Sequence, residues 1–195
     1  MIDTIIYGGS FNPPTIAHIL SIRYCINELQ PKRFLILPTK TPPHKPSDGI
    51  SDALRLEMIC HTFEEMEGVE VCSVEYHMEE PSYTYKTMEI LHDTYGKIHF
   101  LMGMDSYNTF AQWVKPDRIL QFADILVLNR GGIKREDHSL LKSYSEKFVF
   151  LDNPVFELSS TEVRNMCKEG KDIHYFVLDS TRNFINSHKL WRRDV

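Results

Sequence analysis

"TIIYGGSFNPPTIAH", Thr4–His18, joins a short apolar run to a helical pattern through two glycines, a serine, an aromatic, an asparagine and two prolines. The apolar run reads as a buried strand, and the pattern from Ala17 to Leu29 reads as a helix. Glycine at Gly8 and Gly9 lets the backbone approach a ligand closely and take positive φ. Pro13 and Pro14 stiffen the turn and remove two backbone donors. Thr15 stands where it can cap the helix. His18 then lies about one turn in, facing the anion site that exposed helix amides create. Glycine and proline alone would describe no more than a tight turn with a packed histidine. The whole string asks for more.

Outward from this stretch, strand-like runs recur at Arg33–Pro38, Val69–Glu75, Ile98–Gly103, Asp124–Arg130 and Lys147–Leu151. Several are continuously apolar rather than alternating, which suits strands buried on both faces. Helical patterns lie between them at Asp52–Glu65, Thr84–Thr94, Pro116–Phe122 and His138–Ser145. Strand alternating with helix predicts an α/β fold, Rossmann-like, with an open, mostly parallel sheet and helices on both faces. Ligands of such sheets bind beyond the carboxyl ends of the strands, where Gly8 and Gly9 stand. Two further helices, Ser160–Lys168 and Thr181–His188, form a small C-terminal part from about residue 155 of a single domain spanning 1–195.

The composition sets limits. The 195 residues carry a formal net charge of −5, which opposes a nucleic-acid or anionic-membrane partner while leaving room for a local basic pocket. No run of roughly 18 apolar residues suggests a membrane span, and no basic region precedes the first apolar run as in a signal peptide. Cys25, Cys60, Cys72 and Cys167 form no CxxC pair. They read as reduced, mostly buried thiols of a cytoplasmic protein, with no zinc site.

The opening loop is neither a Walker loop nor a G-x-G-x-x-G fingerprint. "GSFNP", Gly9–Pro13, followed by "TIAH", Thr15–His18, resembles the signature of the nucleotidylyltransferase superfamily, G-[ST]-F-[DN]-P then [HT]-x-G-H. Ala17 stands where most members have glycine. "LSSTEVR", Leu158–Arg164, resembles the second signature, [IL]-S-S-T-x-x-R. Its chemistry is readable without the family: hydroxyls and free amides at a helix start, with Arg164 three residues after Thr161, make a cationic clamp for a polyphosphate.

Other segments narrow the resemblance to the nicotinate mononucleotide adenylyltransferases. "TPPHKP", Thr41–Pro46, resembles their P-P-H-[KR] loop, and "SYTYKT", Ser82–Thr87, their S-Y-T-x-x-T. "MGMDSYNTFAQW", Met102–Trp113, resembles G-x-D-S…W; "LNRGG", Leu128–Gly132, an R-x-G; and "TRNFINSHKLW", Thr181–Trp191, the closing helix. The resemblance covers essentially the whole chain and implies the nucleotidylyltransferase fold. It implies ATP contacts at Gly8, Gly9, Ser10, Phe11, Thr15, His18, Gly103, Asp105, Arg130, Ser159, Ser160, Thr161 and Arg164. It implies mononucleotide contacts at Asn12, His44, Lys45, Thr84 and Trp113, with Trp113 stacked on the pyridine ring. His18, His44 and Lys45 would be the catalytic set.

The implied reaction moves AMP from ATP to nicotinate mononucleotide, giving deamido-NAD and pyrophosphate. Both reactants are anionic phosphates, so catalysis would be positioning and charge stabilisation rather than covalent chemistry. Mg²⁺ would be carried by the ATP phosphates, with no dedicated protein metal site. ATP and nicotinate mononucleotide would be the partners, and a homo-oligomer stays open. Alternatives are nicotinamide mononucleotide, phosphopantetheine or another small phosphate as acceptor, CMP transfer, or a non-catalytic nucleotide sensor.

Overall fold

The computed structural model describes residues 2–40, 49–78, 81–136 and 139–192. Its centre is a six-stranded sheet in the order β3-β2-β1-β4-β5-β6. The strands are β1 (Thr4–Gly9), β2 (Arg33–Pro38), β3 (Val69–Val71), β4 (Ile98–Gly103), β5 (Ala123–Leu128) and β6 (Phe148–Leu151), all paired in parallel. The helices are α1 (Ile16–Leu29), α2 (Asp52–Phe63), α3 (Thr84–Tyr95), α4 (Met104–Thr109), α5 (Pro116–Phe122), α6 (Ser139–Ser143), α7 (Ser160–Lys168) and α8 (Asp179–Ser187).

The continuously apolar strands are apolar because both faces are covered. Ile6 on β1 joins Leu35, Phe100, Met88 and Leu91 of one layer, where α3 and α5 pack. Its neighbour Ile5 joins Ile36, Ile19, Ile22 and Phe63 of the other, where α1 and α2 pack. Successive residues of a strand point to opposite faces, so one run feeds two cores. A third cluster holds α7 and α8 against α2 through Met58, Val163, Cys167, Phe184 and Ile185. The order reverses direction at β1 and β4, which leaves a crevice at their carboxyl ends.

Several expected boundaries move. β1 runs on to Gly9, pairing Gly8 with Leu37 and Gly9 with Pro38. The expected strand Val69–Glu75 is shorter: β3 stops at Val71, and Val74–His77 is a 3-10 turn. The Cys72 amide still donates to the Ile36 carbonyl, but Ser73 (φ −90°, ψ 18°) leaves the extended region. Glu75 turns inward, 3% exposed, and accepts from the Thr87 hydroxyl at 2.9 Å. The helix expected at His138–Ser145 shortens to Ser139–Ser143, and α8 begins two residues before Thr181. α4 was not legible as a helix; its six residues are held by buried Met104 and Tyr107. The cysteines are all free, Cys25 and Cys167 buried, Cys72 half-buried, and Cys60 exposed on α2. Among the described residues no helix is long and apolar enough to cross a membrane.

Candidate active site

β1 delivers the signature loop into the crevice, and the loop shows why two glycines are needed. Neither has positive φ, contrary to the sequence expectation; the left-handed conformation falls on Phe11, at φ 42°. A Cβ on Gly8 would stand 2.7 Å from the Phe100 ring, and one on Gly9 would stand 3.1 Å from the Phe11 ring. The glycines make room for aromatic rings on opposite faces of the sheet, and the close approach of backbone to cavity follows from it.

Thr15 is the N-cap of α1, and His18 occupies the third position of the helix. The Thr15 amide donates to His18 Nδ1 at 2.9 Å, and the Thr15 hydroxyl lies 2.8 Å from the same nitrogen. Nδ1 is therefore an acceptor, and the ring proton resides on Nε2. The ring packs against Phe11 and Tyr7, at centroid distances of 5.1 and 6.2 Å. Burial, with the positive charge of Arg130 adding to it, pushes the imidazole pKa down to about 4. His18 is a neutral ring with one donor left for a ligand.

The second motif docks on the first. Ser159 caps α7 in a reciprocal arrangement with Glu162: Glu162 Oε2 accepts from the Ser159 amide and hydroxyl, each at 2.7 Å. Ser160 Oγ donates to the Pro13 carbonyl at 2.7 Å. Arg164 is 9% exposed; its Nη1 donates to the Asn12 carbonyl at 2.7 Å and its Nη2 to Thr161 Oγ1 at 3.2 Å. Part of the guanidinium thus braces the signature loop while the side chain also borders the cavity.

β4 and β5 supply the other wall. Arg130 Nη1 meets Asp105 Oδ2 at 2.7 Å, both half-exposed. Asn153, 5% exposed, clamps the turn before Arg130: its Oδ1 accepts from the Asn129 amide at 2.6 Å and its Nδ2 donates to the Asn129 carbonyl at 3.1 Å.

Gly8, Gly9, Ser10, Phe11, His18, Gly103, Asp105, Arg130, Ser159, Ser160, Thr161 and Arg164 line one cavity of about 370 Å³. Of the expected ATP-side residues, only Thr15 is not in the wall; it lies fully buried beneath His18. Asn12 is buried beside Arg164. Thr84 opens α3, and Trp113 packs on Phe110 and Phe100; neither reaches this cavity. His44 and Lys45 lie outside the described residues. Tyr7, Ser21, Ser106, Leu128, Asn129, Asn153, Phe156 and Leu158 also border the cavity, though none of them was among the expected contacts. Leu158 at least sits inside the second signature; Asn153 follows β6 with no motif around it. Ala17, the departure from the superfamily pattern, borders the same cavity. Among the described residues no group of three or more His, Cys, Asp or Glu could hold a metal.

The cytidylyltransferase-like family matches residues 6–166. A probable nicotinate-nucleotide adenylyltransferase of Caldicellulosiruptor bescii is 30% identical over 193 residues, covering 96% of this chain and 98% of the relative. One of Salinibacter ruber is 33% identical over 195 residues, covering 96% of each. The chain belongs to the nicotinate-nucleotide adenylyltransferases of the cytidylyltransferase-like family. The fold agrees. The Plasmodium falciparum nicotinic acid mononucleotide adenylyltransferase complexed with NaAD superposes with a TM-score of 0.79 at 22% identity, covering 98% of both chains. A putative nicotinate-nucleotide adenylyltransferase of Vibrio parahaemolyticus gives 0.71 at 20% identity, covering 100% of this chain and 98% of that one. As a member of this family, the chain has the nucleotidylyltransferase fold, and its two signature motifs meet in a single crevice.

Proposed function

We propose that the protein transfers AMP from MgATP to nicotinate mononucleotide in NAD biosynthesis, in the cytoplasm. A phosphate oxygen of the mononucleotide bonds to the α-phosphorus of ATP. The bond from that phosphorus to the α,β-bridging oxygen breaks, pyrophosphate leaves, and deamido-NAD forms. The observation that carries the reading is His18: a neutral ring, its tautomer set by the Thr15 amide, at the wall where both signature motifs converge.

Each group has work suited to its chemistry. His18 Nε2–H donates to the α-phosphate, where charge shifts as the new bond forms. The starts of α1 and α7 lend partial positive charge to the polyphosphate. Arg130 offers a full charge, and its partner Asp105 accepts from a ribose hydroxyl. The attacking phosphate is already ionised near neutral pH, so no strong base is required. Mg²⁺ enters with ATP as substrate, bound by phosphate oxygens and water. His44 and Lys45 hold phosphate oxygens from the segment after β2, and Thr84 and Trp113 serve the pyridine end.

Pyrophosphate release with ATP, Mg²⁺ and each pyridine mononucleotide, and the mass of the dinucleotide, test the proposal. Nicotinate mononucleotide should exceed the nicotinamide form in kcat/KM at least about tenfold, equivalent to about 1.4 kcal/mol, because a site built for a carboxylate penalises the analogue lacking it. ATP binding without turnover on either mononucleotide would mark a nucleotide sensor instead. Equal kcat/KM values would remove the assignment of the acceptor.

A further inference from the structure

Arg55 is a cation where the fold needs none for solubility. It sits in the first turn of α2 and is 4% exposed. Its Nη1 donates to the Ser10 carbonyl at 2.9 Å. Its Nη2 faces the carbonyls of Thr39 at 2.5 Å and Lys40 at 2.7 Å, and Asp52 Oδ1 at 2.8 Å. It borders no part of the cavity. Burying a guanidinium is costly unless its donors are matched. Here they are matched to the first carbonyls that β1 and β2 leave without a ladder partner as the sheet ends.

The consequence runs through peptide geometry. A trans peptide is planar, with its carbonyl and amide opposed. Holding the Ser10 carbonyl toward α2 turns the Phe11 amide the other way. It also fixes the peptide from which Phe11 enters its left-handed conformation, with its ring 5.1 Å from that of His18. The same guanidinium fixes the exit of β2, whose Thr39 amide donates to the Gly9 carbonyl at 3.0 Å. One planar fork therefore sets the signature loop and the neighbouring strand end in a single relation, which a lysine, with a point charge on a flexible stem, cannot reproduce.

We propose that Arg55 is a positioning residue for adenylyl transfer, acting through the Ser10–Phe11 peptide on the placement of His18. The inference rests on the adenylyl-transfer reading. The test compares Arg55→Lys, Arg55→Gln and Asp52→Asn with the native chain, and uses Thr62→Val as a control. Thr62→Val removes a buried hydrogen bond to Thr181, two turns further along α2. Kinetic constants are taken per folded molecule, well below each Tm, and ATP binding is measured by calorimetry without the second substrate.

A displaced loop should lower kcat of Arg55→Lys about tenfold to a hundredfold, the range in which small misplacements act, while the Kd for ATP moves less than about threefold. Arg55→Gln should lose more than Arg55→Lys, and Asp52→Asn should fall in the same direction by less. Thr62→Val should lower Tm and leave kcat unchanged. If the Arg55 variants do not fold, Asp52→Asn decides, since it frees the guanidinium without removing it. Normal kcat in Arg55→Lys and Asp52→Asn, with only Tm lowered, would make Arg55 a structural brace and overturn the inference alone. A native protein that binds ATP but transfers nothing would overturn the adenylyl-transfer reading and the inference with it.

Discussion

A backbone amide can offer only its hydrogen, so the Thr15 contact decides which nitrogen of His18 is bare. That settles what the residue can contribute: one directed hydrogen bond and no charge. The unfolded imidazole titrates at about 6.5, the folded one at about 4. Between those values the unfolded chain binds more protons, so stability rises with pH across the window. The penalty is absent above the upper value and complete below the lower one. Imidazole resonances followed by NMR should show His18 unchanged between neutral pH and 5.5; a transition near 6.5 would contradict its burial. His18→Ala should fold, bind ATP and lose at least about a hundredfold in kcat, the usual effect of removing one transition-state donor. Steady-state kinetics with circular dichroism as the folding control checks it. A folded variant with near-native kcat would reduce His18 to a packing residue.

At the scale of elements, α7 belongs to the signature loop as much as to its own helix. Arg164 was expected to reach for phosphate; the structure adds a bond to the Asn12 carbonyl across 152 residues of sequence. Arg164→Gln should therefore raise the KM for ATP about tenfold and also lower Tm, since a hydrogen bond to a charged group is worth about 1.5–3 kcal/mol. A loss of ATP affinity with no change in Tm would mean that the loop does not depend on this brace. The bounds of α7 and α5 were legible because local chemistry sets them: Ser159 and Glu162 cap one, and Pro116 opens the other. β3 was overextended because Val74 and Glu75 continue its pattern, whereas Glu75 turns inward to the hydroxyl of Thr87, twelve residues on. α4 escaped notice because it is a single tertiary packing event around Tyr107, not a periodic pattern.

For the whole molecule, the sheet class and the convergence of the two phosphate motifs were legible, because periodicity and residue chemistry are written locally. The packing partners were not. Asn153 earns its place by folding back on Asn129, a relation that no spacing announces. Gly8 and Gly9 were read as conformational devices, whereas their role depends on Phe100, far along the chain, and on Phe11. Gly8→Ala should cost about 1–3 kcal/mol by overpacking, measured by denaturant unfolding; an unchanged midpoint would mean that the Phe100 ring swings aside freely. Put in genetic terms, Gly8 and Phe100 form one locus written in two places. Selection for revertants of Gly8→Ala should return second-site changes at position 100, and Phe100→Leu, harmful alone through the cavity it leaves, should be the suppressor that restores growth.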